Sequence, residues 1–434
     1  MIGMNSNFYL ACSARIRFVT GMMMYFAQGI PDGLLAIAMP AWLAAQGADA
    51  GDIGSYLAVI YLPWAFKLIV GPLMDRYQFP AMGRRRAWVL AAQLGLTFSL
   101  LTLITIDHPM NQFPLLMVCG VLVNIFAATQ DVAVDSMAIE LVPASEQGRL
   151  NASMSFGKAI GWAASSAASG IILVTWGLGA AAAVAACCSA LIFLGCLMVR
   201  EREGDRLLPW SDGGPGSLTA INNSYSRLFG GLRAVLWSRI SLVVIAIMFL
   251  DGLVSGYGSA LTPLAAINLF GFTTPEWSNL VATMGLLGAI VALGLGPLID
   301  RFGAKRMQSF IILVVAAHTF LLAGTQHYWQ DTLYVRVMMS IWVLLGPISM
   351  VCIIALAMAI CAPQVSATQF AIYMSIANLG ASLGSEAYGR VADKTSFVQN
   401  FTLMGFMGLV TLIVVLFYRR HEYPGADVAV PAPP

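Results

Sequence analysis

Among the ionisable side chains inside long apolar runs of this chain, six lie deep enough to matter first: Asp32, Lys67, Asp131, Asp135, Lys158 and Asp251. A charge within hydrocarbon costs a few kcal/mol even on lenient insertion scales, so each needs a partner or a task. Two tasks suit these residue types. A carboxylate out of water and without a cation favours its neutral form, and can therefore carry a proton. An ammonium can pair with a carboxylate, whether on a neighbouring helix or on a solute. Counting about 1.5 Å per helical residue from the turn at Asp75 puts Lys67 roughly 12 Å inside the surface. Asp131 and Lys158 fall at similar depth, so a Lys67–Asp131 pair is expected, with Asp135 one turn nearer the surface on the same face. Such a pair either stitches two helices together or takes part in moving charge. Asp32 and Asp251 lie nearer the midplane with no cation evident at matching depth, which makes them candidate proton sites. Asp251 ranks first, because fewer neighbouring residues could carry it to an interface.

Uncharged polar candidates at middle depth are Gln28, Asn124, Gln130, Tyr257 and Asn378. Each taken alone is more often a hydrogen bond between helices than a ligand contact. Glu386 lies near the end of its run, where Arg390 on the next turn can pair with it. His318 reads as structural. The glycines of Gly285-Leu286-Leu287-Gly288 and Gly380-Ala381-Ser382-Leu383-Gly384 read as close helix packing, and secondarily as sliding surfaces.

The elements that must position these groups follow from composition. Hydrophobic residues make up 59% of the 434 residues and charged ones 10%, against roughly 25% charged in an average soluble protein. Twelve apolar runs each reach the length of about 20 residues that a bilayer-spanning helix needs. The first is too long, and too interrupted by Gln28, Pro31 and Asp32, to be a secretory signal. Lys and Arg fix the orientation. With the N-terminus inside, eighteen lie on the cytoplasmic side and three on or near the other. The fold class is therefore an all-α membrane protein with twelve transmembrane helices, N-in and C-in, and the lipid bilayer is its first partner. The net charge of +2 reflects topological anchors, not a nucleic-acid footprint. The seven Cys show no metal-ligand spacing. There is no HExxH, no Cys/His dyad in a recognisable context and no phosphate-cradling loop, so neither an enzyme nor a metal or other cofactor is expected.

The chain repeats itself. Gly71-Pro72-Leu73-Met74-Asp75-Arg76 returns as Gly296-Pro297-Leu298-Ile299-Asp300-Arg301, 225 residues on, and Gln28-Gly29 with Pro40 is echoed by Asp251-Gly252 with Pro263 at an offset of 223. Duplicated halves with a polar centre are how many secondary transporters are built. The expected division is a six-helix bundle at 1–199, a cytoplasmic linker at 200–238 with an amphipathic helix from about 217, a pseudo-symmetric second bundle at 239–418 and a tail at 419–434. In each copy the Asp-Arg enters a short cytoplasmic turn followed by basic residues. Gly71, Asp75, Arg76, Arg84, Arg85, Asp300, Arg301 and Arg306 thus form a candidate cytoplasmic gate, with Asp75 and Asp300 as its latches. Arg84, Arg85 and Arg86 also serve as positive-inside anchors.

The second copy, Gly296 to Arg306, closely resembles the loop motif of the major facilitator superfamily, G-x-L-x-D-R-x-G-x-+-+. The first copy departs from it, with seven residues between Asp75 and Gly83. That departure narrows the resemblance: Phe66 to Tyr77 followed by Gly83-Arg84-Arg85-Arg86-Ala87-Trp88 is similar to the AmpG muropeptide permeases and, in the same branch, acetyl-CoA transporters. Ala128-Thr129-Gln130-Asp131-Val132-Ala133-Val134-Asp135 resembles that branch's helix 4 motif, and Tyr25 to Pro31 its opening helix. Siderophore permeases of the FptX/RhtX type share the pattern. The C-terminal half matches at superfamily level alone. The resemblance implies a monomeric, proton-coupled importer of the bacterial inner membrane working by alternating access, with helices 1 and 7 lining its cavity. Muropeptides come first as solute, siderophores second and acetyl-CoA-like thioesters third. A non-transporting receptor is the reading from another class. Lys67 and Lys158 could meet a solute carboxylate in any of the transport cases.

Overall fold

The computed structural model describes residues 9–77, 79–211, 236–361 and 366–418. The segment 217–235, where an amphipathic linker helix is expected, lies outside them, as does the tail 419–434. Among the described residues ten helices are long and apolar enough to cross a membrane. One of these, Ala144–Met198, runs on through a kink at Gly177 (φ 78°, ψ −177°). A positive φ there suits glycine alone, and it divides the element into α5 and α6. Ser366–Ala392, 27 residues long but less apolar than the other spans of the second copy, completes twelve.

In chain order α1 is Ala14–Ala45. Helix α2 is Ala50–Ala65 resuming after Phe66 as Lys67–Arg76. Then follow α3 (Arg86–Thr102), α4 (Phe113–Leu141), and α5 and α6 on either side of Gly177. The second copy comprises α7 (Arg239–Leu264), α8 (Thr274–Leu293, continued as Gly296–Phe302), α9 (Ala304–Gly324), α10 (Thr332–Met358), α11 (Ser366–Ala392) and α12 (Phe397–Leu416). Local signals mark several ends. Asp331 accepts from two backbone N–H groups at the start of α10, and Ser396 with Gln399 forms a capping box on α12. Helices α1 and α7 each loosen after a proline. Pro31 leads into a π-helical stretch, Asp32–Ala38, and Pro263 precedes another, Ala265–Leu269. Proline removes an amide donor and crowds the preceding turn, so a wider helix follows.

The chain packs as two compact units. One comprises residues 1–49, 69–223 and 263–286, the other 50–68, 224–262 and 287–434. Within the first, α1 crosses α5 so closely that a Cβ on Gly161 would stand 2.2 Å from the Phe26 carbonyl oxygen, and one on Gly29 2.3 Å from the Trp162 nitrogen. Within the second, α7 crosses α11 the same way: a Cβ on Gly384 would meet the Leu253 oxygen at 2.1 Å, and one on Gly252 the Ala377 oxygen at 2.0 Å. Gly29, Gly33, Gly157 and Gly161 correspond to Gly252, Gly256, Gly380 and Gly384 at one constant offset of 223. The repeat seen in the charged turns therefore extends to a shared helix crossing.

A second device also recurs. Arg86, at the start of α3, donates to the Leu197 carbonyl (2.8 Å), the Val199 carbonyl (2.5 Å) and the Leu207 carbonyl (2.8 Å) beyond the end of α6. Lys305, at the start of α9, donates to the Leu416 (2.8 Å) and Tyr418 (2.7 Å) carbonyls at the end of α12. Each cation satisfies orphan carbonyls at a helix C-terminus. Arg84 and Arg85 are likewise engaged with protein, both pairing with Glu140 on α4 (3.5 and 2.7 Å). The triple-Arg run differs from the expectation of simple anchors because buried acceptors lie within its reach.

Candidate functional site

The densest group of intramembrane ionisable residues in the first unit comes from α1, α4 and α5. Tyr25, Gln28 and Asp32 recur at three- and four-residue steps and so share one face of α1. Asp131 and Asp135 do the same on α4. The Tyr25 hydroxyl donates to the Asp135 carboxylate, and Asp131 lies within electrostatic reach of both Tyr25 and Asp32. From α5, Lys158 Nζ approaches Asp32 Oδ2 at 3.6 Å. The structure thus supplies what the sequence did not reveal, a cation for Asp32. Lys158 reaches it because the glycine crossing draws α5 against α1. Asp32 is also the first residue of the π-helical stretch, a distortion that is frequent at functional sites.

Behind this patch the amides divide by role. Gln130 donates to the Gln93 Oε1 (2.5 Å) and to the Met24 carbonyl (3.3 Å), and Gln93 donates in turn to Ser189. That chain ties α4, α3, α1 and α6 together. Gln28 is different. It is wholly enclosed, and among the described residues neither atom of its amide has a hydrogen-bond partner, a condition that calls for a reason in a native structure. Asn124 donates to the Gly120 carbonyl of its own helix at 2.9 Å.

In the second unit Asp251 accepts a long hydrogen bond from Gln308 on α9 (3.4 Å). Lys67 lies in this unit, its Nζ 5.8 Å above the Trp64 ring one turn earlier. Tyr257, one of the uncharged polar candidates, is buried, donating to Asn400 on α12 (2.5 Å) and packing edge-on against Tyr388. Asn378 donates to the Trp64 carbonyl (3.3 Å). Both make contacts between helices. Glu386 pairs with Arg390 (2.8 Å) and accepts from Ser55 (3.2 Å). His318 is buried in a parallel stack with Trp342.

The gate residues are placed in part. Gly71 lies in the second segment of α2, and Arg76 stacks over Tyr77 at 6.0 Å. Arg301 stacks over Phe302 at 5.4 Å, and Arg306 is exposed on α9. The side chains of Asp75 and Asp300 lie outside the described residues. One cytoplasmic-side group went unnoticed in the sequence. Glu201, 1% exposed, accepts from the backbone N–H groups of Arg84, Arg85 and Arg86 at 2.9, 2.8 and 2.6 Å. Burial pushes its carboxyl above the ordinary range, and the three donors pull it back. Gly83 lets the clamp close: its φ is +97°, and a Cβ there would stand 2.6 Å from the Glu201 carboxyl carbon. Tyr25 was missed as a site residue too, although its spacing from Gln28 and Asp32 could have found it. Glu201 had no such signal, because its donors are more than a hundred residues away.

Comparison with known proteins adds the following. The family profile of the Major Facilitator Superfamily matches residues 19–385. The anhydromuropeptide permease of Escherichia coli (strain K12) is 26% identical over 383 residues, covering 86% of this chain and 74% of that protein. Among solved structures, the D-xylose-proton symporter superposes with a TM-score of 0.70 at 17% identity, covering 94% of this chain and 98% of the other. The nucleoside transporter NupG (D323A mutant) gives 0.68 at 12% identity, covering 92% and 99%. At those identities the structural likeness concerns the fold.

Proposed function

The chain belongs to the Major Facilitator Superfamily, and from that premise we propose that it is a proton-coupled permease importing sugar–peptide fragments of the cell wall. As a superfamily transporter with ten helices, among the described residues, long and apolar enough to cross a membrane, it is a multi-pass protein of the bacterial inner membrane. What supports the solute class is the similarity, across most of both chains, to the anhydromuropeptide permease. What carries the coupling is the intramembrane patch of Tyr25, Asp32, Asp131, Asp135 and Lys158. Three carboxylates and one ammonium on three helices are costly to keep in hydrocarbon, and a proton or a charged solute passing through gives them a task. The duplicated glycine crossings, α1 with α5 and α7 with α11, supply matched rigid pairs on which two halves could rock, so the site opens to one side at a time. Conserved geometry of a crossing with changed chemistry, Gln28 in one copy and Asp251 in the other, fits a solute path that is asymmetric.

The test is counterflow in proteoliposomes of the full chain. A labelled anhydro-disaccharide tripeptide should exchange without a gradient and accumulate when the outside is made acidic. Uptake of a ferric siderophore with no uptake of the tripeptide would replace the solute class. No movement of either under an imposed proton gradient would favour a receptor that retains the fold.

A further inference from the structure

The Asp32–Lys158 pair has features of an ion pair made to be exchanged. Its 3.6 Å separation is longer than the roughly 2.7–2.9 Å of a charge-assisted hydrogen bond. Lys158 is 34% and Asp32 22% exposed, so protein seals neither, whereas Asp131 on α4 is 5% exposed and Gln28 one turn before Asp32 is fully enclosed. A loose, incompletely covered pair inside an apolar bundle is held by charge more than by packing. The groups facing Asp32 and its neighbours from the packed helices are Lys158 on α5, Asp131 and Asp135 on α4, and Tyr25 on α1 itself.

Resting on the permease reading above, we propose that Lys158 is the docking cation for a carboxylate of the solute. Asp32 holds that place between cycles, and the exchange of partners leaves Asp32 to take up the transported proton. The charge balance closes at each step. In the empty state Lys158 and Asp32 neutralise each other. When a solute carboxylate takes Lys158, one proton from the outer compartment binds Asp32, and the patch keeps the net charge it had. On the inner side the proton leaves, Asp32 re-forms its bond to Lys158 and the solute carboxylate is expelled. One anionic group and one proton move together, so binding without protonation, or protonation without binding, leaves an uncompensated charge in a low-dielectric site. That penalty is what ties the two fluxes.

The experiment has two arms on the full-length protein. In the first, counterflow of the labelled anhydro-disaccharide tripeptide is competed by the same compound with free carboxylates or with its peptide carboxyls converted to amides. The wild type should prefer the free acid by about tenfold or more, the size of a lost charged hydrogen bond. Lys158→Gln should bring the ratio near one, and Lys158→Arg should restore part of it. The second arm uses no solute. In infrared difference spectra, Lys158→Gln should show a protonated-carboxyl band that disappears when Asp32→Asn is added. A Lys158→Gln variant that moves the tripeptide yet keeps the preference for the free acid overturns the proposal while the permease reading stands. If the wild type moves neither compound, the muropeptide solute fails. The infrared arm then decides alone: absence of an Asp32-dependent band overturns the charge exchange.

Discussion

At the scale of the residue, two midplane carboxylates that look alike in sequence have different surroundings. Asp32 faces Lys158, which can turn to another anion, whereas Asp251 faces the neutral amide of Gln308 at 3.4 Å. Asparagine at 251 could still accept from Gln308, so Asp251→Asn should leave gradient-driven accumulation within a few-fold of wild type. Asp32→Asn removes the exchangeable charge and should retain solute exchange while losing accumulation. Measuring both variants in the same proteoliposomes decides between them. Accumulation lost at 251 and kept at 32 would move the coupling role to α7 and restore the ranking read from the sequence. Tyr25→Phe removes one hydrogen bond to a carboxylate, worth about 1.5–3 kcal/mol, and should slow coupled uptake more than exchange. The sequence revealed Asp32, Asp131, Asp135 and Lys158 because charge in an apolar run is conspicuous. It did not reveal which charges pair, because pairing depends on helix rotation and crossing, which the spacing of residues within one helix does not fix. Tyr257 shows the same limit: an intramembrane phenol is visible in sequence, but its bond to Asn400, 143 residues away, is not.

At the scale of the element, the glycine crossings and the cytoplasmic clamp carry separate predictions. A Cβ on Gly161 or Gly384 meets a backbone carbonyl oxygen at 2.2 or 2.1 Å, and backbone cannot step aside as a side chain can. Gly161→Ala and Gly384→Ala should each destabilise by about 1–3 kcal/mol, read as lowered thermal midpoints in detergent. Gly296→Ala, with nothing within 4 Å of the added atom, is the matched control. The clamp is tested by pH. Burial raises the Glu201 carboxyl above its ordinary value, so the folded state binds that proton more tightly than the unfolded chain does. Stability should therefore rise as pH falls through the raised value, and the gain is complete below the ordinary carboxylate range. Glu201→Gln removes this dependence, so the wild-type midpoint should gain on the variant as the buffer is acidified from neutrality. A constant difference across that window would count against a buried, titrating Glu201. Here the sequence was half legible. The 223-residue echo at Gln28-Gly29 and Asp251-Gly252 anticipated one crossing in two copies, and the break at Gly177 fell where two apolar runs met. Glu201, at the start of the stretch expected as a linker, gave no sign of its role, because its structural partners are backbone N–H groups that leave no trace in residue types.

At the scale of the whole molecule, composition and duplication were enough to give a twelve-helix, two-copy membrane protein, since hydropathy and repeated punctuation are global properties that survive local ambiguity. The solute was not legible in the same way: a lysine and a set of carboxylates identify an anionic partner without naming it, and similarity to the anhydromuropeptide permease is what narrows the class. In the proposed coupling, one proton enters with the solute through the Asp32–Lys158 patch. The most direct measurement is the internal pH of proteoliposomes loaded with a pH-sensitive dye, followed as the unlabelled anhydro-disaccharide tripeptide is added outside at equal pH. Acidification should begin with solute addition, saturate with its concentration and be absent in Asp32→Asn. Entry of the tripeptide with no change in internal pH would contradict that coupling.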